Sequence, residues 1–403
     1  MLWLSVILMA VSVLLSSCQE SGRVASHPEQ NSVPAKATGS ITLFLCGDMM
    51  TGRGIDQVLP SSVDPHIYEP YVKDARDYVR LAERANGRIP GKVSYSYIWG
   101  DALEVWQQVK PDLKIINLET SITTYDQYWP GKQIQYRMHP DNVEVLTAAK
   151  IDFVTLANNH VLDWQRPGLL QTLQTLNSAG IANAGAGRNL TEAQKPAILK
   201  TPNGRVVVLA YGSGSGGVLQ GWEAGPQQSG VNVLPDFSDR TVSLIKQQVK
   251  QVKQPGDVVV FTVHWGDNWG YDIPPAHRNF AKKLIDEAGV DLIHGHSSHH
   301  PLGIEVYQDK LIIYGAGDFI TDYEGIHGHE EFRGDLTLMY FPQLDTTGKL
   351  QTLNMVPMQV RNFRLNYMQP ADTEWLYQVL KRESQRLGTD VKITENGNFQ
   401  LVW

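Results

Sequence analysis

The sequence predicts an α/β fold with largely parallel strands whose functional loops lie along one edge of the sheet. Five short runs rich in Val and Ile, each bounded by Gly or Asn, have the length and composition of buried strands. Segments with helical periodicity lie between these runs, which favours parallel strands joined by crossovers. The chain has 403 residues, of which 42% are hydrophobic, so it is long enough to bury one large core.

Each of the five runs ends in a short polar cluster. The runs cover residues 41–45, 113–116, 151–157, 258–263 and 290–293, and the clusters after them contain, in the same order, Asp48, Glu119, Asn159, His264, and His296 with His299. Ligands of open α/β sheets bind at the carboxyl ends of strands, so we expect these side chains to converge. Two carboxylates, an amide and three imidazoles at one place predict a site for two metal ions.

The same periodicities predict the remaining elements. Helical patterns cover residues 141–150, 167–179, 236–252, 275–288 and 371–387, and further strands are predicted at 205–211, 310–314 and 335–341. The segment after about residue 346 lacks any cluster of catalytic or metal-binding residue types. We therefore interpret residues 41–345 as the main domain and residues 346–403 as a C-terminal extension that contributes packing.

A helical insertion is predicted at about residues 60–100 of the main domain. Its helix, at residues 70–87, carries Arg76, Arg80 and Arg84 at four-residue spacing, which places the three guanidinium groups on one face. A solvated surface is one interpretation of this face. The other is a grip for an anionic substrate, and the sequence leaves both open.

The N-terminal 17 residues are almost wholly apolar and are predicted to be a signal peptide, since they are too short for a comfortable membrane span. The Leu-Ser-Ser-Cys sequence that ends at Cys18 resembles the cleavage motif of bacterial lipoproteins, so Cys18 is expected to carry a lipid. Residues 18–40 are polar and rich in Ser, Pro and Gly, which is typical of a tether. An ordinary secretory signal or an uncleaved anchor is the alternative. In each case the domain is expected outside the cytoplasm, on the cytoplasmic membrane or in an outer membrane.

Charge restricts the class of partner. The net charge of −7 argues against general nucleic-acid binding, and an anionic ligand would need a local basic patch. Arg53, Arg137 and Arg333 are candidates for such contacts, because a guanidinium group binds phosphate or carboxylate through paired hydrogen bonds.

Six short motifs occur in a fixed order along residues 41–345. They are Gly47-Asp48-Met49-Met50, Asn117-Leu118-Glu119-Thr120, residues 157–163, Val263-His264-Trp265-Gly266, residues 295–299 and residues 314–319. Their order and their residues resemble the motifs of the calcineurin-like metallophosphoesterase superfamily and, within it, of the CapA family of capsule (poly-γ-glutamate) synthesis. The resemblance implies a layered α-β-β-α metallophosphoesterase-like sandwich.

The resemblance also implies that the converging side chains hold one or two divalent metal ions. The expected ligands are Asp48, Glu119, Asn159, His264, His296 and His299. Imidazole ligands favour Mn, Fe or Zn over Ca or Mg.

Met50 departs from the superfamily pattern, which has a His at this place. A thioether is a poor ligand for a hard divalent ion, so one metal site should lack a donor. We therefore expect a tight site and a weaker one. The tight site would comprise Glu119, Asn159, His264 and His296, and the weaker one Asp48, Glu119 and His299.

His160 and Asp163 follow Asn159 in the same motif. In a hydrolase His160 would protonate the leaving group, and Asp163, three residues further on, would hold its ring in the required tautomer. A local hydrogen bond at the start of a helix is the alternative for this pair.

Two functions are compatible with these features. The first is a membrane-tethered protein of capsule or poly-γ-glutamate synthesis with a metal-dependent hydrolase site for a phosphoester or a γ-glutamyl amide. The second is a non-catalytic component that binds and helps to export an anionic polymer. Both imply contact with the membrane through the lipid anchor, and the resemblance adds other capsule-synthesis membrane proteins as partners.

Replacing Cys18 with Ser removes the thiol that would carry the lipid, so the variant should move from the membrane fraction to the soluble fraction. Immunoblotting of fractionated cells measures this distribution. Cys46→Ser changes the other of the two cysteines and should stay with the membrane. Equal membrane retention of Cys18→Ser and the wild type would disprove the lipoprotein assignment.

Overall fold

The structure is a computed structural model that describes residues 39–403. The predicted signal peptide, residues 1–17, and nearly all of the predicted tether, including Cys18, lie outside the described residues. Among residues 39–403, no helix combines the length and the apolar character needed to cross a bilayer.

Strands and helices alternate over most of the described chain. The strands are β1 (Ile41–Met49), β2 (Leu113–Leu118), β3 (Ser121–Ile122), β4 (Arg137–Met138), β5 (Phe153–Thr155), β6 (Ala182–Ala184), β7 (Ala186–Gly187), β8 (Ala197–Thr201), β9 (Gly204–Gly212), β10 (Gly230–Val231), β11 (Val258–His264), β12 (Leu292–His296), β13 (Ile304–Tyr307), β14 (Lys310–Ile313), β15 (Asp318–Ile320), β16 (Leu336–Leu344), β17 (Leu350–Val360), β18 (Leu365–Tyr367), β19 (Asp390–Ile393) and β20 (Phe399–Val402). The helices are α1 (Arg53–Val58), α2 (Arg76–Asn86), α3 (Ala102–Val109), α4 (Glu144–Ala148), α5 (Gln165–Ser178), α6 (Leu190–Ala193), α7 (Asp239–Val252), α8 (Pro275–Ala288) and α9 (Pro370–Gln385).

Two large sheets form the centre of the molecule. The first has the order β19-β20-β17-β16-β1-β2-β5-β6, with β15 also paired to β1 and β18 to β17, and the second has the order β13-β14-β12-β11-β9-β8. Strands β1, β2, β5 and β6 are parallel, as are β9, β11, β12 and β14. The predicted parallel arrangement is thus confirmed for β1, β2, β5 and β6 at one end of the first sheet and for the middle of the second sheet, whereas the other end of the first sheet and both edges of the second are antiparallel.

The alternation of side chains along the strands produces four layers. In the second sheet, Val208 and its neighbours on one face pack into the core shared with the first sheet, while Phe261 and the opposite face pack against α7 and α8. On the far side of the first sheet, Phe44 meets Trp106 of α3 edge-on, with ring centroids 5.0 Å apart. The predicted α-β-β-α sandwich is confirmed.

The C-terminal residues continue the first sheet. Strands β16 and β17 pair antiparallel along their whole length, with Leu336 opposite Gln359. Strand β16, which belongs to the predicted main domain, in turn pairs with β1, so β17 of the predicted extension supports the strand that carries Asp48 only through β16. Helix α9 contacts β19 and β13.

The predicted elements agree with the structure most closely where no local turn intervenes. Helix α8 has the bounds expected from its periodicity. The insertion helix begins at Arg76 and not at residue 70, because His66 and Asp74 form a bridge that holds the preceding residues in an extended turn. The helix predicted at residues 141–150 is split into a 3-10 turn, Pro140–Val143, and the short α4.

A close approach of two backbone segments sets the position of Asp48. A Cβ atom added to Gly47 would lie 1.6 Å from the carbonyl oxygen of Gly317, so only glycine fits there. The same carbonyl accepts a hydrogen bond from the Asp48 N–H at 2.9 Å, and Asp48 is in register with Asp318 of β15. The two carboxylates therefore come from neighbouring strand ends.

Gly47→Ala should lower the free energy of unfolding by about 3 kcal/mol or more, because its methyl group forces β1 and the Gly317 segment apart. Denaturant unfolding followed by circular dichroism measures this. Gly91→Ala is the matched control, since a Cβ there meets no atom within 4 Å, and its effect should be small. Equal stability of the two variants would contradict the close-packing argument.

Candidate metal centre

Three of the predicted ligands meet at the carboxyl ends of β1, β11 and β12. Asp48, His264 and His296 are fully buried, and each offers one ligand atom within 4.8 Å of the others. The Nδ1 atoms of the two imidazoles lie 2.8 Å apart, and Asp48 Oδ1 lies 3.9 Å from His264 Nδ1 and 3.8 Å from His296 Nδ1. Strand register explains the contact, because His264 and His296 are direct partners in neighbouring parallel strands.

Polar neighbours fix the orientation of these groups. The Asn117 side-chain amide donates to Asp48 Oδ1 at 2.6 Å, and the backbone N–H of Ser297 donates to Asp48 Oδ2 at 3.0 Å. Thr262 Oγ1 lies 2.9 Å from His296 Nε2, so that Nδ1 faces Asp48. Such surrounding hydrogen bonds orient metal ligands in proteins and tune their basicity.

Glu119 and Asn159 line a cleft beside this group. Glu119 Oε1 lies 3.9 Å from His264 Nε2 and 3.8 Å from His160 Nε2. The cleft has a volume of 370 Å³, and Lys132 and His299 also line it. All six predicted ligands therefore lie around one region of the molecule.

His299 occupies a different place from the one that the predicted partition requires. It points to Asp318, with Nδ1 3.0 Å from Asp318 Oδ1, because Ser297 adopts a left-handed conformation (φ 110°) and turns the chain after β12. Burial opposes a charge on His299, but the carboxylate of Asp318 outweighs it and raises the pKa of His299. The structure thus groups Asp48 with His264 and His296, and His299 with Asp318.

The carboxylates and imidazoles perturb one another strongly. Burial and the neighbouring Asp318 raise the pKa of Asp48 to about 7, and burial together with Asp48 and Asp318 raises the pKa of Glu119 well above its usual value. Burial lowers the pKa of His264 to about 3, and burial and adjacent imidazoles also lower the pKa of His296. A divalent cation would offset the repulsion between the carboxylates, since it favours ionised carboxylates and unprotonated imidazoles.

The donor set fits such an ion. Among the described residues, four buried polar atoms around the cleft have no hydrogen-bond partner: Glu119 Oε2, Asn159 Oδ1, His264 Nε2 and Asp318 Oδ2. Buried polar atoms are seldom left unpaired without a reason, and carboxylate, amide and imidazole atoms are the ligand types of Mn, Fe and Zn sites. The residues present are therefore compatible with a divalent metal.

His160 and Asp163 form a hydrogen-bonded pair next to this centre. His160 Nδ1 lies 2.6 Å from Asp163 Oδ2, which also accepts the Tyr136 N–H at 2.7 Å. A turn brings the pair together, since the Asp163 N–H donates to the His160 carbonyl at 3.3 Å. Burial lowers the pKa of His160 well below its usual value and raises the pKa of Asp163 to about 7. The Tyr136 ring stacks on the imidazole at 3.7 Å.

Three residues of the centre were absent from the predicted set. Asn117 and Asp318 carried a signal, since each lies in one of the six motifs at a strand end. Lys132 carried none, because it lies in an irregular loop between β3 and β4. Its Nζ donates to the Asn159 carbonyl at 2.6 Å and lies 3.4 Å from Asp163 Oδ1.

Arg53, which was predicted to bind an anionic substrate, forms ion pairs inside the protein. Its guanidinium group donates to Glu69 at 3.0 Å and to Asp322 at 3.2 Å, and the ring of Tyr78 lies 3.8 Å away. Only 4% of Arg53 is exposed. These contacts join the insertion to the main domain and pair the guanidinium group with two carboxylates of the protein itself.

The other arginines that were predicted to bind substrate differ from one another in their contacts. Arg333 donates to Asp335 and Asp372, whose hydrogen bonds and charges raise its pKa, so its guanidinium group is also paired. Arg137 lines a separate cavity. The Arg76, Arg80 and Arg84 face of α2 is exposed as expected, although Arg76 pairs with Asp74 and Arg80 with Asp77.

Comparison with known proteins identifies the family. The sequence pattern of the family described as bacterial capsule synthesis protein PGA_cap matches residues 42–323, more than half of the chain. The chain belongs to this capsule-synthesis family. A "probable polyglutamine synthesis accessory protein" of Mycobacterium tuberculosis is 45% identical to it over 365 residues, which cover 90% of this chain and 96% of the relative. The predicted resemblance to the CapA family is confirmed.

Two more distant proteins are also similar to this chain. The PGA biosynthesis protein CapA of Bacillus subtilis is 28% identical to it over 329 residues, or 81% of this chain and 74% of the relative. A solved structure described as a novel phosphatase from Mycoplasma pneumoniae aligns with 81% of this chain and 95% of its own, at 13% identity and a TM-score of 0.42.

His264→Ala and His296→Ala should each weaken metal binding by at least about tenfold, because both belong to the compact group with Asp48. His299→Ala should weaken it less, since its ring faces Asp318. Elemental analysis and metal-dependent shifts in melting temperature measure this. His277→Ala, at a buried histidine outside the centre, should keep its metal. Equal losses in the His264, His296 and His299 variants would contradict unequal contributions.

Proposed function

We propose that this capsule-synthesis protein is an exported, lipid-anchored protein with a metal-dependent hydrolase site that acts on an anionic capsule polymer or on a phosphoester. One observation carries the hydrolase assignment: four buried donor atoms without partners lie around a cleft beside the His160–Asp163 pair. A purely structural cluster would pair these atoms, because an unsatisfied buried polar group costs about 1–3 kcal/mol. The capsule-synthesis family supplies the polymer context.

The metal ligands divide into two groups. Asp48, His264 and His296 would hold one ion, and Glu119, Asn159, Asp318 and His299 offer donors for a second. When bound, a divalent ion supplies Lewis-acid polarisation of the substrate and lowers the pKa of a water molecule.

The contribution of the chain itself centres on His160. Its contact with Asp163 and its stacking on Tyr136 hold the ring so that Nε2 faces Glu119 and the cleft. Nε2 can take up a proton from solvent and deliver it to the oxygen or nitrogen of the leaving group. A histidine held in one tautomer by a carboxylate is suited to this transfer.

Lys132 provides positive charge at the mouth of the cleft. The Lys132 ammonium holds the Asn159 carbonyl and lies near Asp163, so it positions the loop that carries His160. Its side chain is 11% exposed, and its charge favours entry of an anionic group. A phosphodiester and a chain of carboxylates both satisfy that preference.

The second candidate function is binding and export of an anionic polymer without catalysis. Two observations favour it. Met50 is buried at the place where the superfamily has a His, which removes one metal donor. The exposed Arg76, Arg80 and Arg84 face offers a surface to a long anionic chain.

His160→Ala should slow hydrolysis of an alkyl phosphodiester by about 10²–10⁴-fold, because an alkoxide is a poor leaving group that needs a proton. An aryl phosphodiester, whose phenolate leaves readily, should be slowed far less. Steady-state rates of the metal-loaded protein on the two substrates measure the difference.

Metal content is the control for this variant, since His160 is assigned to proton transfer and not to ligation. Equal slowing of both substrates, or loss of the metal, would rule out the proton-transfer role. If the metal-loaded wild type hydrolyses neither phosphodiesters nor poly-γ-glutamate, binding and export becomes the better description.

A further inference from the structure

A second cavity lies away from the metal cleft, between the insertion and the loop that follows β3. Its volume is 550 Å³. The insertion contributes Asp64, His66 and Tyr68 to one wall, and Thr124 and Arg137 belong to the other. We call it the Arg137 cavity.

Arg137 is a buried cation without a carboxylate partner among residues 39–403. Only 5% of the residue is exposed, and its guanidinium group lies 3.7 Å from the ring of Trp164. Both Nη atoms donate to backbone carbonyls, those of Tyr125 at 2.8 Å and Asp64 at 3.2 Å, and Nε has no partner. Buried charges are normally paired, and this guanidinium group lacks a direct ion pair.

The nearest acidic groups, Asp56, Asp64 and Asp126, attract the guanidinium charge but none of them forms a direct ion pair with it. Both Asp56 oxygens are occupied, one by the His139 N–H and the Asn142 amide and the other by the Val63 N–H. Asp64 uses a carboxylate oxygen to accept the His66 N–H.

Arg53 shows what a purely structural buried arginine looks like in this protein. It is as deeply buried as Arg137, at 4% exposure, yet it is paired with both Glu69 and Asp322. A structural role for Arg137, in which it links two loops, would explain its two hydrogen bonds to backbone carbonyls. It does not account for the unpaired Nε or for the adjoining cavity.

We propose that the Arg137 cavity is a second binding site, which takes a carboxylate group of an anionic polymer. A guanidinium group on an aromatic ring is a strong carboxylate receptor. The exposed Asp64 and Asp126 at the rim favour a singly charged carboxylate over a phosphate dianion, which they would repel more strongly. The inference rests on the proposed handling of an anionic polymer.

The two sites lie on opposite faces of one short segment. Tyr136 stacks on His160 in the metal cleft, whereas the next residue, Arg137, turns to Trp164 and the second cavity. Neighbouring residues of an extended segment point in opposite directions, which explains the separation. A polymer with a carboxylate on every residue offers a group to each site, whereas a small phosphoester can occupy only one.

Calorimetric titration of the full chain with a γ-linked glutamate decamer tests the proposal, and a glutamine decamer serves as the uncharged probe. Arg137→Met should weaken binding of the glutamate decamer about 10- to 100-fold, because charged hydrogen bonds are lost. Thr124→Glu adds a negative charge at an exposed wall position and should weaken binding by about threefold or more while the protein stays folded. The second variant decides the matter if Arg137→Met fails to fold.

Arg166→Met is the matched control. Arg166 also donates to a backbone carbonyl and lies over a tryptophan ring, but it does not line the cavity, so its affinity should stay within about twofold of the wild type. Unchanged affinity in Arg137→Met and Thr124→Glu would overturn the proposal. So would a wild type that binds neither decamer, or equal affinity for the glutamine decamer.

Metal content and hydrolysis report on the metal cleft alone. If the protein binds no metal and hydrolyses no substrate but still binds the glutamate decamer through Arg137, the hydrolase assignment is refuted and the second site is supported. If hydrolysis is intact but binding of the glutamate decamer does not depend on Arg137, the hydrolase assignment stands and the second site is refuted.

Discussion

Three carboxylates buried near one another are the constraint on which this structure depends. Asp48, Glu119 and Asp318 come from separate strand ends, and the field of one raises the pKa of the next. Acids held this close cannot all ionise without a compensating positive charge. The backbone contact at Gly47 forces the arrangement, and unprotonated imidazoles complete it. The centre of the fold is therefore an incomplete electrostatic unit, and a metal ion is the partner that its donor atoms suit.

The sequence predicted the convergence well because strand ends are easily recognised. Asp48, His264 and His296 each follow a buried apolar run, and parallel neighbours bring such ends to one edge. The direction of a side chain beyond the strand was not predictable. His299 turns to Asp318 through a left-handed conformation at Ser297, which residue type alone does not indicate. For that reason, the predicted division of the ligands between two sites differs from the grouping of these side chains in the structure.

Arginine roles could not be derived from the sequence either, because the partners of an arginine are distant along the chain. Asp322 pairs with Arg53 across 269 residues, and no local pattern links them. The two deeply buried arginines differ most in their partners: Arg53 is paired with carboxylates and Arg137 with backbone carbonyls. If the protein binds an anionic polymer, as proposed, that difference separates a structural ion pair from a candidate receptor. Burial alone would have treated the two residues alike.

The position of β16 has a consequence for where this protein can be divided. The family match ends at residue 323, yet β1 pairs along its first half with β16, which lies beyond that point and is itself covered by β17. A fragment cut at the family boundary would keep all the candidate metal ligands. It would also leave one side of β1 with unpaired backbone groups, a surface that promotes aggregation of sheets edge to edge. The sheet thus continues past the boundary drawn by sequence similarity, and we expect a stable recombinant protein to need the chain through β20.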